Sequence, residues 1–374
     1  MRGSIRKRGA TYQIRVDLGK DPLTGKRKEK SMSGFKGKKE AEKALAILIA
    51  DIEKGEYFEA DKMTLKDYLY YWLETYAKVN VATSTFIRYK EFCNHIIKHI
   101  GNLILDKIKP ANIQKFYSTL LSSGKLSSGT ILKIHRMFHQ ALKHAVNWEI
   151  INTNPTEYVT APKANKTQMT VWEPELANKF MNGVRNTNAF IPVMLALTTG
   201  MRAGEISALK WSNINFDNEF ISITHNMQRV ENGYELKQPK TDKSRRTIAM
   251  MDMTVKELKE HRKKQLALKL YMGPDYKDED FVCAWDNGSP FRPHYISDIF
   301  RDNVKKLKFP KIRFHDLRHT HATIMLSKGV HAKVVSERLG HSNISITLDT
   351  YSHVLPNMQK EAVSKINDVF EKRA

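Results

Sequence analysis

The chain has 374 residues and carries 62 Lys and Arg against 40 Asp and Glu, a formal charge of +22 with an isoelectric point near 9.7. That length fits two or three domains with real cores, and that charge is the footprint of a nucleic-acid binder rather than of a generic enzyme. Cys93 and Cys283 have no paired spacing, which excludes a disulfide framework and a thiolate zinc site. The longest apolar stretch, residues 190–197, contains Pro192 and falls short of the ~18 residues of a membrane helix, and no apolar run follows the basic start; a cytoplasmic location is expected.

The first 50 residues hold fourteen Lys and Arg against five Asp and Glu, which marks a DNA-binding module of its own. Tyr12, Ile14, Val16 and Leu18 alternate with Gln13, Arg15 and Asp17, the period of a half-buried strand. Gly9 marks one turn and residues 19–25 a second, leaving 26–35 as a third strand. From Lys38 the period changes, and Ala41, Leu45, Leu48 and Ile52 predict a helix over the apolar face of that sheet. The stretch from Gly19 to Lys26 is no phosphate loop, since five residues separate its glycines and no Ser or Thr follows the lysine.

After a linker at 57–63, Thr64 with Asp67 three residues on opens a helix as a capping box would. Leu65, Tyr68, Leu69, Trp72 and Tyr76 form a stripe expected to be core rather than a platform for bases. Further helices are expected over 84–99, ended by Gly101, over 110–121, opened by Pro110, and over 130–148, with Pro155 helping to close the domain. Residues 160–170 read as an extended basic linker. Beyond 171 the chain is expected to be mainly helical, with a small sheet from 220–224 and 247–250. The fold class is α+β, mostly α.

The chemistry lies in this last part. Arg202 follows an apolar helix that stops near Gly200 and stands at a helix start, where backbone donors also favour an anion. Glu205 reads equally as a group that orients Arg202 and as a plain helix-start carboxylate. Pro239, Lys240 and Thr241 precede Lys243, Arg245 and Arg246 in what reads as a hairpin loop, with the last three expected to meet backbone or solvent. His315 and Arg318 stand one helical turn apart; His341 follows 26 residues after His315, and Tyr351 ten further on. Two guanidiniums offer forks for phosphate oxygens, imidazoles offer donors, and a phenol among cations is a nucleophile. His319, His321, His331 and His353 are expected to be structural or on the surface, and a zinc site among the histidines lacks a partner at ligand spacing.

This ordered set, Arg202, Lys240, His315, Arg318, His341 and Tyr351, resembles the signature of the tyrosine recombinases, the phage-integrase family. The resemblance implies a site-specific DNA recombinase in which Tyr351 forms a 3′-phosphotyrosine and Lys240, with Lys243 as competitor, protonates the departing 5′ oxygen. It implies no metal or other cofactor, because the phosphotyrosine keeps the energy of the broken bond. It also implies a homotetramer exchanging strands through a Holliday junction, with an excisionase or a host DNA-bending protein as further partners. Residues 1–58 resemble an arm-site DNA-binding domain, with Arg15, Lys28 and Lys30 as DNA contacts. Residues 63–158 resemble a helical core-binding domain, in which Thr83, Ser84, Thr85, Arg88 and Lys90 are either phosphate contacts or a solvated face. Residues 168–374 resemble the catalytic domain, whose tail stripe Met358, Ala362, Ile366, Val369 and Phe370 either closes its own domain or docks on a neighbouring subunit. A type IB topoisomerase-like enzyme and a non-catalytic DNA-binding regulator are the rival readings.

Overall fold

The structure, a computed structural model, describes residues 3–20, 27–53, 63–164, 170–231, 233–238, 245–341, 343–351 and 363, and divides into two units, Met1–Asn165 and Lys166–Ala374. In the first unit the expected alternation is realised as an antiparallel sheet of β1 (Gly3–Arg8), β2 (Thr11–Lys20) and β3 (Arg27–Phe35), in that order. Gly9 turns the first hairpin at φ +60°, a conformation that costs glycine nothing. Ile14 and Val16 are fully buried against Ala41 of α1 (Lys38–Glu53), with Ile5, Tyr12, Phe35 and Leu45 around them. The expected turn at 19–25 does not begin at its glycine, and its residues 21–25 lie outside the described residues. β2 runs on through Gly19 and Lys20, with a register shift between Asp17 and Gly19 that takes up the irregularity.

Thr64 caps α2 (Leu65–Trp72): its hydroxyl oxygen accepts from the Asp67 N–H at 3.2 Å and donates to the Asp67 carboxylate at 2.5 Å. The expected stripe is core, with Leu65, Tyr68, Leu69 and Trp72 fully buried and Trp72 stacked on Tyr76 at 5.7 Å. A π-helical turn, Leu73–Ala77, joins α2 to α3 (Lys78–Asn80). Propensity gives no sign of it; the wider turn puts Leu73 and Ala77 into the core beside Trp72. Then come α4 (Thr83–Ile100), capped by Gly101, α5 (Pro110–Ser122), opened by Pro110, and α6 (Ser128–Asn147). α6 starts two residues before the expected 130 because Ser127 accepts from the Thr130 N–H at 3.2 Å.

The second unit is built on α8 (Phe190–Thr199), buried on nearly every side and packed by α7 (Pro174–Gly183), α10 (Asp252–Met272) and α12 (Phe314–Ser327), with α11 (Pro293–Lys306) against α12. Pro192 is tolerated because it stands in the first turn of α8, where no helical partner for its nitrogen exists. After the short α9 (Ala203–Ser207), the expected sheet is present with one extra strand, in the order β4 (Ile214–Asn215), β5 (Phe220–Ile223), β8 (Arg246–Ala249). A second hairpin, β6 (Asn226–Val230) with β7 (Gly233–Lys237), was not expected; only Met227 of its residues is buried, so its sequence carries little alternation. The flanking strands β7 and β8 belong to different sheets, and the expected hairpin loop at 239–244 lies outside the described residues. The chain ends its described run with α13 (Ala332–Leu339) and α14 (Ile344–Tyr351).

Candidate active site

Two helix C-termini and four arginines make the floor of the site. α8 stops at Gly200 (φ +69°) and α13 at Gly340 (φ +65°), and each leaves carbonyls with no partner inside its helix. Arg318, 2% exposed, takes one from each: its Nη1 donates to the Gly200 carbonyl at 2.7 Å and its Nη2 to that of Leu339 at 2.5 Å. Arg338 donates to the Thr198 carbonyl at 2.9 Å and to His321 Nε2 at 3.2 Å, while the other ring nitrogen of His321 donates to the Leu197 carbonyl at 2.8 Å. The negative end of a helix dipole is where a buried guanidinium is least costly, so the same contacts satisfy the carbonyls and place the cation.

Arg202 is the residue before α9, and Glu205 unites the two roles expected of it. One carboxylate oxygen accepts from the Arg202 N–H at 2.9 Å, which caps the helix, and the other accepts from Arg202 Nη1 at 2.8 Å. Arg246, expected to meet backbone or solvent, instead turns inward onto a carboxylate, which is a correction. Its side chain is 6% exposed and it donates to both Glu205 oxygens, at 3.1 and 2.8 Å, and to the Arg338 carbonyl at 2.7 Å. The available signal was its spacing of two from the buried Ile248, which puts it on the inner face of β8. Burial raises the Glu205 pKa, but the hydrogen bonds and charge of Arg246, then the charge of Arg202, outweigh it and hold the carboxyl at about 2. Asp316 does the same at the start of α12, accepting from the Arg313 N–H at 2.7 Å and from its guanidinium.

The imidazoles lie in this field of positive charge. His315 has its pKa lowered by partial burial, then by Arg318 and Arg202. His341 is lowered to about 4 by burial, then by Arg318, Arg202, His319 and Arg246, so these groups surround one place. Its Nδ1 is 2.8 Å from the hydroxyl of the buried Thr347 in α14. His319 is half-buried edge-on to His315, with ring centres 5.0 Å apart, and burial lowers it to about 4. His321 is structural as expected, and His331 caps α13 by accepting from the Lys333 N–H. Position 351 ends α14 one helical turn beyond Thr347. The Tyr351 side chain lies outside the described residues, as do Lys240, Lys243, His353, all of the tail stripe and the side chains of Leu18, Leu48 and Ile52. Among the described residues no three His, Cys, Asp or Glu side chains are grouped as a metal site needs, and no helix is long and apolar enough to cross a membrane.

The residues expected at DNA are more dispersed. Arg15 pairs with Glu29 at 3.2 Å on the exposed side of the N-terminal sheet. Its register partner is Ser31, whereas Lys30 partners Val16 and Lys28 partners Gly19, so the three do not fall in one cross-strand row; the side chains of Lys28 and Lys30 lie outside the described residues. Thr83, Ser84 and Thr85 form the first turn of α4 with Arg88 exposed beyond them, and the Lys90 ammonium lies over the Phe86 ring at 5.2 Å.

Two buried or half-buried arginines with flanking imidazoles, followed by a helix that ends in tyrosine, gather cations and proton-transferring groups of the kind that can bind a phosphodiester. The chain belongs to the phage integrase family: that family matches residues 173–358, an arm DNA-binding domain matches 4–52, and the N-terminal SAM-like domain of phage integrases matches 64–121. It is 30% identical over 379 residues to a XerC-like tyrosine recombinase of Caldanaerobacter subterraneus subsp. tengcongensis, covering 96% of each chain. To the ICEBs1 integrase of Bacillus subtilis it is 25% identical, over 96% of this chain and 97% of that one. In fold it is similar to the Tn1549 transposon integrase solved with a circular intermediate DNA, with a TM-score of 0.70 at 20% identity over 81% of this chain and 99% of that one. A lambda integrase dimer on a core site gives 0.59 at 18% identity over 93% and 94%. The chain is an enzyme that acts on DNA, a site-specific recombinase of the tyrosine type.

Proposed function

We propose that Arg202 and Arg318 hold the nonbridging oxygens of a scissile phosphate while Tyr351 attacks it, leaving a 3′-phosphotyrosine and a free 5′ hydroxyl. The observation that carries this reading is the gathering of Arg202, Arg318, His315 and His341 around one place, with α14 leading from Thr347, the partner of His341, to position 351. Two guanidiniums neutralise the charge that grows on the oxygens in the transition state, and neutral imidazoles donate or accept protons beside them. Lys240, with Lys243 as the alternative, protonates the departing 5′ oxygen. The reverse attack by another 5′ hydroxyl rejoins the strand with no external energy source.

In this reading residues 1–58 bind arm sites, 63–158 clamp core sites and 168–374 carry the chemistry, with the tail stripe docking on a neighbouring subunit. The three family matches, which fall within those spans, support the division. The protein works in the cytoplasm as a homotetramer on DNA, integrating and excising a mobile element, with an excisionase or a host DNA-bending protein setting direction. A lambda integrase tetramer on a Holliday junction, similar in fold over 91% of this chain with a TM-score of 0.57, supports that assembly. The test is incubation of the purified protein with duplexes spanning the ends of the element that encodes it. A covalent adduct is expected and its absence would favour a regulator; exchange of strands between two sites is expected, and relaxation of supercoils without exchange would mean a topoisomerase.

A further inference from the structure

Arg246 is not a group that attack on a phosphodiester requires, yet three parts of the site meet on its guanidinium. It donates to both oxygens of Glu205 and to the Arg338 carbonyl, and a Cβ on Gly340 would stand 3.0 Å from its Nη1. The forked contact fixes the plane of the carboxylate that receives both the backbone N–H and Nη1 of Arg202. The third bond ends in the last turn of α13, one residue before the Leu339 carbonyl that Arg318 holds and three before His341.

We propose that Arg246 is a positioning residue for strand cleavage, whose fork on Glu205 and third bond to the end of α13 keep Arg202, Arg318 and His341 in a single geometry. The inference rests on the reading of Arg202 and Arg318 as phosphate ligands. Displacement of a reacting group by about 1 Å costs roughly 10²-fold in rate, so a group that fixes the phosphate ligands controls cleavage through them. Lysine cannot replace it, because a point ammonium does not span the two carboxylate oxygens and the carbonyl together.

The test uses a DNA duplex that the wild-type protein cleaves, and reads its affinity, the thermal stability of the protein and the single-turnover rate of adduct formation. Arg246→Lys keeps the charge and is expected to bind within about 2-fold of wild type while forming the adduct about 10- to 100-fold more slowly. Because loss of the cation leaves the buried Glu205 without its main partner, a second arm compares Glu205→Gln and Arg246→Met with the double variant Glu205→Gln/Arg246→Met. The double variant is expected to lose less than the product of the losses of Glu205→Gln and of Arg246→Met measured singly, since both changes break the Glu205 fork and only the second also frees the end of α13. Wild-type cleavage by Arg246→Lys, or losses that multiply in the double variant, overturns the positioning role. Arg202→Ala is run in parallel: wild-type cleavage there overturns the phosphate-ligand reading and this inference with it, whereas loss there beside wild-type cleavage in Arg246→Lys overturns this inference alone.

Discussion

Arg202 and Arg318 have the same proposed task in opposite environments, and that separates what their loss does. The Arg202 side chain is 37% exposed and shares Glu205 with Arg246, so Arg202→Ala is expected to lower the cleavage rate ~10²- to 10³-fold with little change in melting temperature. Arg318 is buried between two helix ends, so Arg318→Ala should lose the same rate and also stability, and Arg318→Lys should restore neither. Single-turnover cleavage and thermal unfolding of the three variants check this. Tyr351→Phe should bind DNA normally and form no adduct; no other tyrosine follows Arg318 in the chain to replace it. The histidines add a pH prediction. His315 is lowered by burial and by Arg318 and Arg202, and His341 lies at about 4, so the fall of kcat/KM for cleavage with pH should have its inflection below the ~6.5 of a free imidazole. His321 adds a stability term of definite sign. Its folded pKa is about 4, so between ~6.5 and 4 the unfolded chain binds a proton that the folded chain does not, and stability should fall as pH drops through that window. Urea unfolding at pH 7 and 4.5, for wild type and His321→Gln, measures it; equal pH dependence in both would sink the assignment.

At the scale of elements, short segments are held in place by the absence of side chains. Gly204 lies in α9, where a Cβ would come within 2.1 Å of the Asn226 amide oxygen and 2.8 Å of the Met227 carbonyl, so α9 packs directly on the backbone of β6. Gly200 combines φ +69° with a Cβ position 2.6 Å from Leu339 Cδ2. Gly200→Ala and Gly204→Ala are each expected to cost about 1–3 kcal/mol and to slow cleavage, because the first moves the carbonyl that Arg318 holds and the second moves Arg202 and Glu205. Denaturant midpoints and cleavage rates of the two variants test this. Most elements were legible from period and caps: the N-terminal sheet from its alternation, α2 from Thr64, α5 from Pro110, α4 from Gly101. The π-turn and the β6–β7 hairpin were not, since the first depends on what the core will accept and the second is half-buried along most of its length and buries only Met227.

For the whole molecule, the uneven charge predicts a division of labour. The N-terminal module holds a large share of the positive excess and has its own core of Ile14, Val16 and Ala41. Its binding to arm DNA should therefore weaken steeply with salt, and changing Arg15, Lys28 and Lys30 together should reduce the slope by ~0.9 for each phosphate that is no longer neutralised. A chain beginning near residue 60 should still cleave core sites, yet fail to integrate where arm sites are required. Recombination of full attachment sites at wild-type efficiency by the shortened chain would contradict the proposed arm module.

The sequence by itself determined the class of the protein, most of its elements and the candidates for the reacting groups, because caps, periods and motif spacings act over a few residues and are written locally. It separated His315 and His341 from the other histidines by the neighbours each has along the chain. It did not show that Arg318 spends its fork on the ends of α8 and α13, that Glu205 serves two arginines, or that Arg246 turns inward to join them. Apart from the local pair of Arg202 with Glu205, those bonds join residues 21 to 118 positions apart in the chain. Only the packed core brings them within hydrogen-bond distance, and only there does a buried charge have to find its partner.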